Sequence, residues 1–283
     1  GAWRWKGFVP SIEKSFLLST CAMNSCVRNG VKDVFCTAWG DNGNECSFHS
    51  VYPVLAQYAV FNYQGEAKSE DIDKLLKAIL DEPLDRMIKM DLPDLPGRKI
   101  LAPQYNPTKY FLYQDVLLGF FDDQYKPEYK EVFIENAKIL KQASIESKKF
   151  SYVYDLLSKL CDVVSIKYEL GYKARKAYKE NNKKELKAVT KEISIAIKKL
   201  DIFKKAVECQ WMKECRAFGY EVLDGRLGFT KNRMITAKER IEKYLKGKLD
   251  KIDELEKDIL PFDGCDWEVS WNWWMRNVTV NNL

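Results

Sequence analysis

The 283-residue chain is long enough for one large domain or two ordinary ones, and its 46% hydrophobic content suits a globular core. No run approaches the ~18 apolar residues that a membrane-spanning helix requires, which argues against a membrane protein. Lys and Arg number 46 against 41 Asp and Glu, and the resulting charge of +5 is spread too evenly for a nucleic-acid footprint.

Residues 1–5 read as the end of a strand carrying Trp3 and Trp5. Ser11 can cap a helix that runs through Phe16, Met23 and Val27 and stops at Asn29-Gly30. The run VKDVFCTAW, residues 31–39, is β-branched and aromatic and predicts a buried strand. A polar loop, GDNGNECSFHS, leads into a second helix from about Val51 to Phe61. Strand, helix, strand, helix is the pattern of a parallel sheet. Two parallel strands do not make a stable sheet, and nothing later in the chain supplies more. The unit is therefore expected to be the last piece of a larger array, with residues before Gly1 in the natural protein.

Beyond Asn62 the pattern turns helical. Residues 69–80 place Ile72, Leu75, Leu76 and Ile79 on one side of a helix. Residues 83–108 hold five prolines and read as an irregular connection, followed by the apolar stretch NPTKYFLYQDVLLGFFD, residues 106–122. Over 147–179 the positions Phe150, Val153, Leu157, Leu160, Val164, Gly171, Ala174 and Tyr178 step by threes and fours along one helical seam. Leu186, Val189, Ile193, Ile197, Leu200, Phe203 and Val207 repeat the spacing over 182–211. The intervening KENNKK turns the chain back, so two long antiparallel helices are expected. A third helix spans about 218–246 and ends at Gly247, a shorter one spans 250–260, and residues 268–280 read as a strand-like tail.

Eight cysteines and one histidine, His49, offer few metal ligands, and no Cys-x-x-Cys pair occurs. Buried thiols in a reducing cytoplasm are the expectation, with no metal and no cofactor.

The stretch TAWGDNGNECSFHSVYPVL, residues 37–55, resembles glycoside hydrolase family 20, the exo-β-N-acetylhexosaminidases. NPTKYFLYQDVLLGFFD and GYEVLDGRLG, residues 219–228, resemble the helical C-terminal region of one bacterial branch of that family. The resemblance implies a mainly α chain. Residues 1–62 would be the last two βα units of a (β/α)8 barrel, and 63–283 a helical C-terminal domain with long antiparallel helices. Barrel enzymes act at the C-terminal ends of their strands. Trp39 then matches the family's sugar-stacking tryptophan, and Asp41 stands where the family has an acidic residue that accepts hydrogen bonds from sugar hydroxyls. Trp3 or Trp5 would wall the same pocket, with at most one of the two facing it. The implied ligand is a glycan ending in β-linked N-acetylhexosamine, and homo-oligomer formation is left open.

Family members are substrate-assisted retaining enzymes, an exception to the two-carboxylate scheme. The sugar's acetamido oxygen attacks the anomeric carbon while a Glu protonates the leaving oxygen and the preceding Asp orients the acetamido group. That Asp-Glu pair lies on the fourth strand, ahead of anything present here. The two Asp-Glu dipeptides of this chain, Asp81-Glu82 and Asp253-Glu254, follow no apolar strand. No catalytic residue is therefore assigned, and the chain alone is expected not to hydrolyse glycosides. Asn42, Glu45 and the charged group Glu221, Asp224 and Arg226 read as structural, and Trp271, Trp273 and Trp274 as a packed tail. The competing reading is a non-catalytic helical interaction module. It would place Trp39 inside a self-contained helical core.

Overall fold

The computed structural model describes residues 1–41, 43–94 and 106–259. Asn42, residues 95–105 of the proline-rich connection and the strand-like tail with its three tryptophans lie outside the described residues.

Helix α1, Ile12–Arg28, follows the expected boundaries and ends with Asn29 as its C-cap and Gly30 at φ +67°. Ser11 sits at its N-cap, but its side chain makes no cap hydrogen bond. The carboxylate of Asp91 takes that role and accepts from the backbone N–H of Ile12 at 2.8 Å and of Glu13 at 3.1 Å. The free N–H groups of the first turn are satisfied from a distant segment, which ties α1 to the connection.

A 3-10 turn, Phe48–Val51, leads into α2, Tyr52–Gln64. Helix α3, Ser69–Leu80, has the predicted span and buries Ile72 and Leu76. The connection then holds a short α4, Leu84–Ile88, and a 3-10 stretch, Lys89–Asp94, so it is less irregular than its prolines suggested. Helix α5, Pro107–Tyr113, is buried along its whole length.

Helices α6, Tyr129–Glu146; α7, Ser151–Lys167; α8, Leu170–Lys179; α9, Lys183–Glu214; and α10, Tyr220–Leu245, form the body of the fold. A short α11, Asp253–Glu256, takes the place of the longer helix expected over 250–260. Helix α7 is the centre and packs most extensively on α6 and on α9. It buries Leu156, Leu157, Leu160, Cys161, Val163 and Val164 round most of its circumference, as a helix walled on all sides must. Helix α9 in turn carries α8 and α10. The antiparallel pair is present, but its first member is broken at Tyr168-Glu169 into α7 and α8. Tyr168 turns into an aromatic cluster with Phe111 and Tyr125 at ring distances of 5.6 and 5.5 Å. Glu169 binds Lys130 at 2.6 Å and Lys173 at 2.9 Å.

Two features explain residues that the seam alone would not. A Cβ at Gly171 would fall 2.5 Å from a carboxylate oxygen of Asp122, so only glycine fits there. Asp122 is buried, and burial pushes its carboxyl up to about 7 against the opposing pull of Arg175 and Lys167. Lys167 is also buried. Its ammonium donates to the carbonyls of Gln114 at 2.6 Å and Phe111 at 3.2 Å, and burial lowers its pKa to about 8.

The N-terminal segment departs from expectation. Among the described residues no strand forms, and one parallel bridge joins Ala2 to Ala38, with the Ala2 N–H donating to the Thr37 carbonyl at 2.7 Å. The bridge has the predicted pairing and direction. Residues 31–35 are exposed, however, and Phe35 is 84% exposed, where a buried strand was expected. A parallel strand is buried by neighbouring strands and flanking helices, and among the described residues only its end is covered, where Cys36 and Ala38 pack against Ala2, Val51 and Val54. The thiols divide as well. Cys46 and Cys161 are buried, whereas Cys21 and Cys209 are exposed, against the expectation of uniform burial. All seven described cysteines are free.

No helix among the described residues is long and apolar enough to cross a membrane. No group of three His, Cys, Asp or Glu side chains among them is arranged to hold a metal ion.

Candidate functional site

The loop that follows the bridge carries Trp39 and Asp41, and both are exposed. Trp39 is 55% exposed, so its indole stands clear of the helical core. Trp3 and Trp5 are half-buried and lie against each other, with ring centroids 4.5 Å apart. Residues two apart share a face of an extended chain, so the pair keeps together where the sequence reading had parted it. The Lys14 ammonium sits 4.4 Å from the Trp3 ring centre.

What holds the loop is a set of buried charges, of which the sequence points only to Glu45 as loop structure. Arg4, between the two tryptophans, is buried and sends its guanidinium across to the loop. It donates to the Trp39 carbonyl at 3.2 Å, to Asn44 Oδ1 at 2.5 Å and to the Cys46 carbonyl at 2.5 Å. A planar fork with several fixed donors suits this task. The Cys46 thiol, buried beside it, is pushed up to about 12 by burial and is therefore held as the thiol.

Glu45 anchors the other side. Its carboxylate lies 2.8 Å from the Lys109 ammonium, accepts from the Tyr113 hydroxyl at 2.8 Å and lies 3.4 Å from the Arg226 guanidinium. The Gln210 side chain donates to the Glu45 backbone carbonyl at 3.2 Å. Helices α5, α9 and α10 thus converge on one loop residue. Burial lowers the Lys109 pKa against the pull of Glu45, and burial raises the Tyr113 phenol. Lower down, Glu214 at the end of α9 accepts from Ser47 Oγ and from the Phe48 N–H, both at 2.6 Å.

The structural reading of Glu45 agrees with this geometry. The charged group on α10 is not one cluster. Arg226 turns to Glu45, Asp224 pairs with Lys204 at 2.7 Å, and Glu221 accepts from the Gly219 N–H at 2.7 Å. One signal of the anchor was present in the sequence: Lys109 is the one basic residue in the apolar stretch 106–122, and such a charge must find a partner when buried.

The Asp-Glu dipeptides serve local structure. Glu82 is buried and accepts from Tyr154 at 3.0 Å and Ser147 at 3.1 Å, with Arg86 at 3.3 Å. Asp81 meets Lys148 at 2.9 Å on the surface. Glu254 pairs with Arg240 at 2.8 Å and Asp253 with Lys251 at 2.9 Å. His49 packs its ring between Tyr52 and Phe150, at 5.2 and 5.1 Å.

An exposed tryptophan and carboxylate on one short loop can do two things for a sugar. The indole offers a flat apolar face to a pyranose ring. The carboxylate can accept two hydrogen bonds from adjacent hydroxyls. No curated protein matches this chain. The family model described as the Glycoside Hydrolase 20C C-terminal domain matches residues 87–271, well over half of its length. The match covers most of the connection and the helices that clamp Glu45, and it shows that the chain belongs to the Glycoside Hydrolase 20C C-terminal domain family.

Proposed function

We propose that this chain is the C-terminal part of a retaining, substrate-assisted exo-β-N-acetylhexosaminidase. In this reading it supplies one wall of the pocket for a terminal β-linked N-acetylglucosamine or N-acetylgalactosamine. Trp39 stacks on the sugar ring, and Asp41 accepts hydrogen bonds from its hydroxyls. The paired Trp3 and Trp5 flank that wall. The acid and the acetamido-orienting carboxylate come from outside residues 1–283.

The observation that carries the reading is the loop itself. Trp39 and Asp41 are held outward on a loop fixed by buried charges, whereas a self-contained helical module would have drawn Trp39 into its core. The family membership supports a glycoside hydrolase context. The single parallel bridge and the exposed apolar run just ahead of Ala38 support a βα unit that packs against further strands.

The test is hydrolysis of 4-nitrophenyl N-acetyl-β-glucosaminide. The whole protein that carries this chain should turn it over, and the 283-residue chain alone should not. Turnover by the chain alone that is abolished by Asp81→Asn or Glu82→Gln would overturn the assignment.

A further inference from the structure

We propose that Arg4 and Glu45 are positioning residues for the sugar-facing loop, and that the helical domain sets the geometry of Trp39 and Asp41 through them. This rests on the reading above. Two glycines show how closely the loop is gripped. A Cβ at Gly40 would fall 2.6 Å from Asn44 Oδ1 and 3.2 Å from an Arg4 guanidinium nitrogen. A Cβ at Gly43 would fall 2.6 Å from an Arg226 guanidinium nitrogen, and its φ of +99° also favours glycine. Asp41 therefore sits between one glycine pressed onto Arg4 and another pressed onto Arg226. Trp39 is held from below through its own carbonyl.

The charge pattern explains why the grip is firm. Glu45 is a single buried carboxylate facing two buried cations, Lys109 and Arg226, with the Tyr113 hydroxyl completing its shell. Losing it takes from both cations a carboxylate that they meet in a dry site. The partners lie 64 and 181 residues further along the chain, so the loop cannot keep this shape unless α5 and α10 are docked. A residue that acts in this way touches no substrate. It fixes the two groups that do.

The experiment uses the whole protein, with Glu45→Gln as the direct variant. In Glu45→Gln/Lys109→Met one cation leaves with the carboxylate, so the buried charge balance is kept and the fold is spared. Trp39→Ala serves as the reference for the pocket reading. Hydrogen exchange of residues 39–47 is read against that of α7 and α9, and kcat and KM are read with the nitrophenyl glycoside.

The double variant is expected to speed exchange in the loop by about tenfold or more while α7 and α9 stay protected. KM should rise by about tenfold, or kcat/KM fall by as much, as a misplaced sugar contact requires. Unchanged loop exchange overturns the proposal, and so does a loosened loop with unchanged kinetics. If Trp39→Ala leaves the kinetics unchanged, the pocket reading itself fails, and the positioning role falls with it.

Discussion

Residues 31–35 and residues 107–245 are both rich in apolar side chains, yet the helical region has a sealed core and the extended run has none. In the helical region Leu157, Phe133 and Phe203 are sealed from solvent. In the extended run of the N-terminal region Val31, Val34 and Phe35 are exposed. The difference lies in how each kind of element satisfies its backbone. A helix closes its hydrogen bonds within itself and needs only side-chain neighbours. An extended parallel segment needs partners on both edges before its side chains can be covered. The apolar content of VKDVFCTAW is therefore a statement about neighbours, and the described residues provide one bridge of them.

The largest effect should come from cutting into the wrapped region. Leu157→Ala removes a buried side chain from the central helix and should cost about 2–5 kcal/mol by urea denaturation. Phe35→Ala in the open region should stay within about 0.5 kcal/mol in the isolated chain, despite removing a larger side chain. A comparable loss at both sites would erase the distinction between the two regions.

A second effect sharpens the picture of the helical interior. The folded Asp122 carboxyl, at about 7, stands well above its ordinary value of 3.8. Such a group is favoured in its protonated form by folding, so its burial is tolerated below about pH 4 and opposes stability increasingly as pH rises to about 7. Across that window the loss should be on the order of 2–4 kcal/mol. Asp123, Gln114, Arg175 and Lys167 face the same carboxyl, and Lys167, lowered to about 8, acts in the opposite sense only above that pH. Asp122→Asn should flatten the pH 4–7 slope of the melting temperature. A slope equal to that of the unaltered chain would contradict the assignment.

A smaller change probes the same place from the other side. Gly171→Ala would set a methyl against the Asp122 carboxylate and should destabilise the chain by about 1–3 kcal/mol. Gly228→Ala, in α10 with open space around it, should be neutral or slightly stabilising by thermal melting.

Much of the helical region was legible in the sequence because its signals are local. The span of α3 follows from four apolar positions at helical spacing, and α10 stops at a glycine that adopts φ +67°. The seam over 147–179 was legible as helix, but its break at Tyr168-Glu169 was not, because the cause is a cluster with Phe111 and Tyr125 from elsewhere in the chain. Ser11 was a plausible cap by type, yet Asp91 fills the position from 79 residues away. The candidate site shows the same division. Trp39 and Asp41 were proposed from one local stretch, residues 37–55, through its resemblance to a family. Arg4, Lys109, Tyr113 and Arg226 were not connected to the loop, since no spacing rule joins residues that meet only when the helices dock.

The central claim is that the exposed loop is a sugar-binding wall carried on a helical anchor. It is tested most directly by kcat/KM for 4-nitrophenyl N-acetyl-β-glucosaminide in the whole protein with Trp39→Ala. The account predicts a fall of about tenfold or more, from loss of the stacking face in the transition state. A kcat/KM equal to that of the unaltered protein would contradict it.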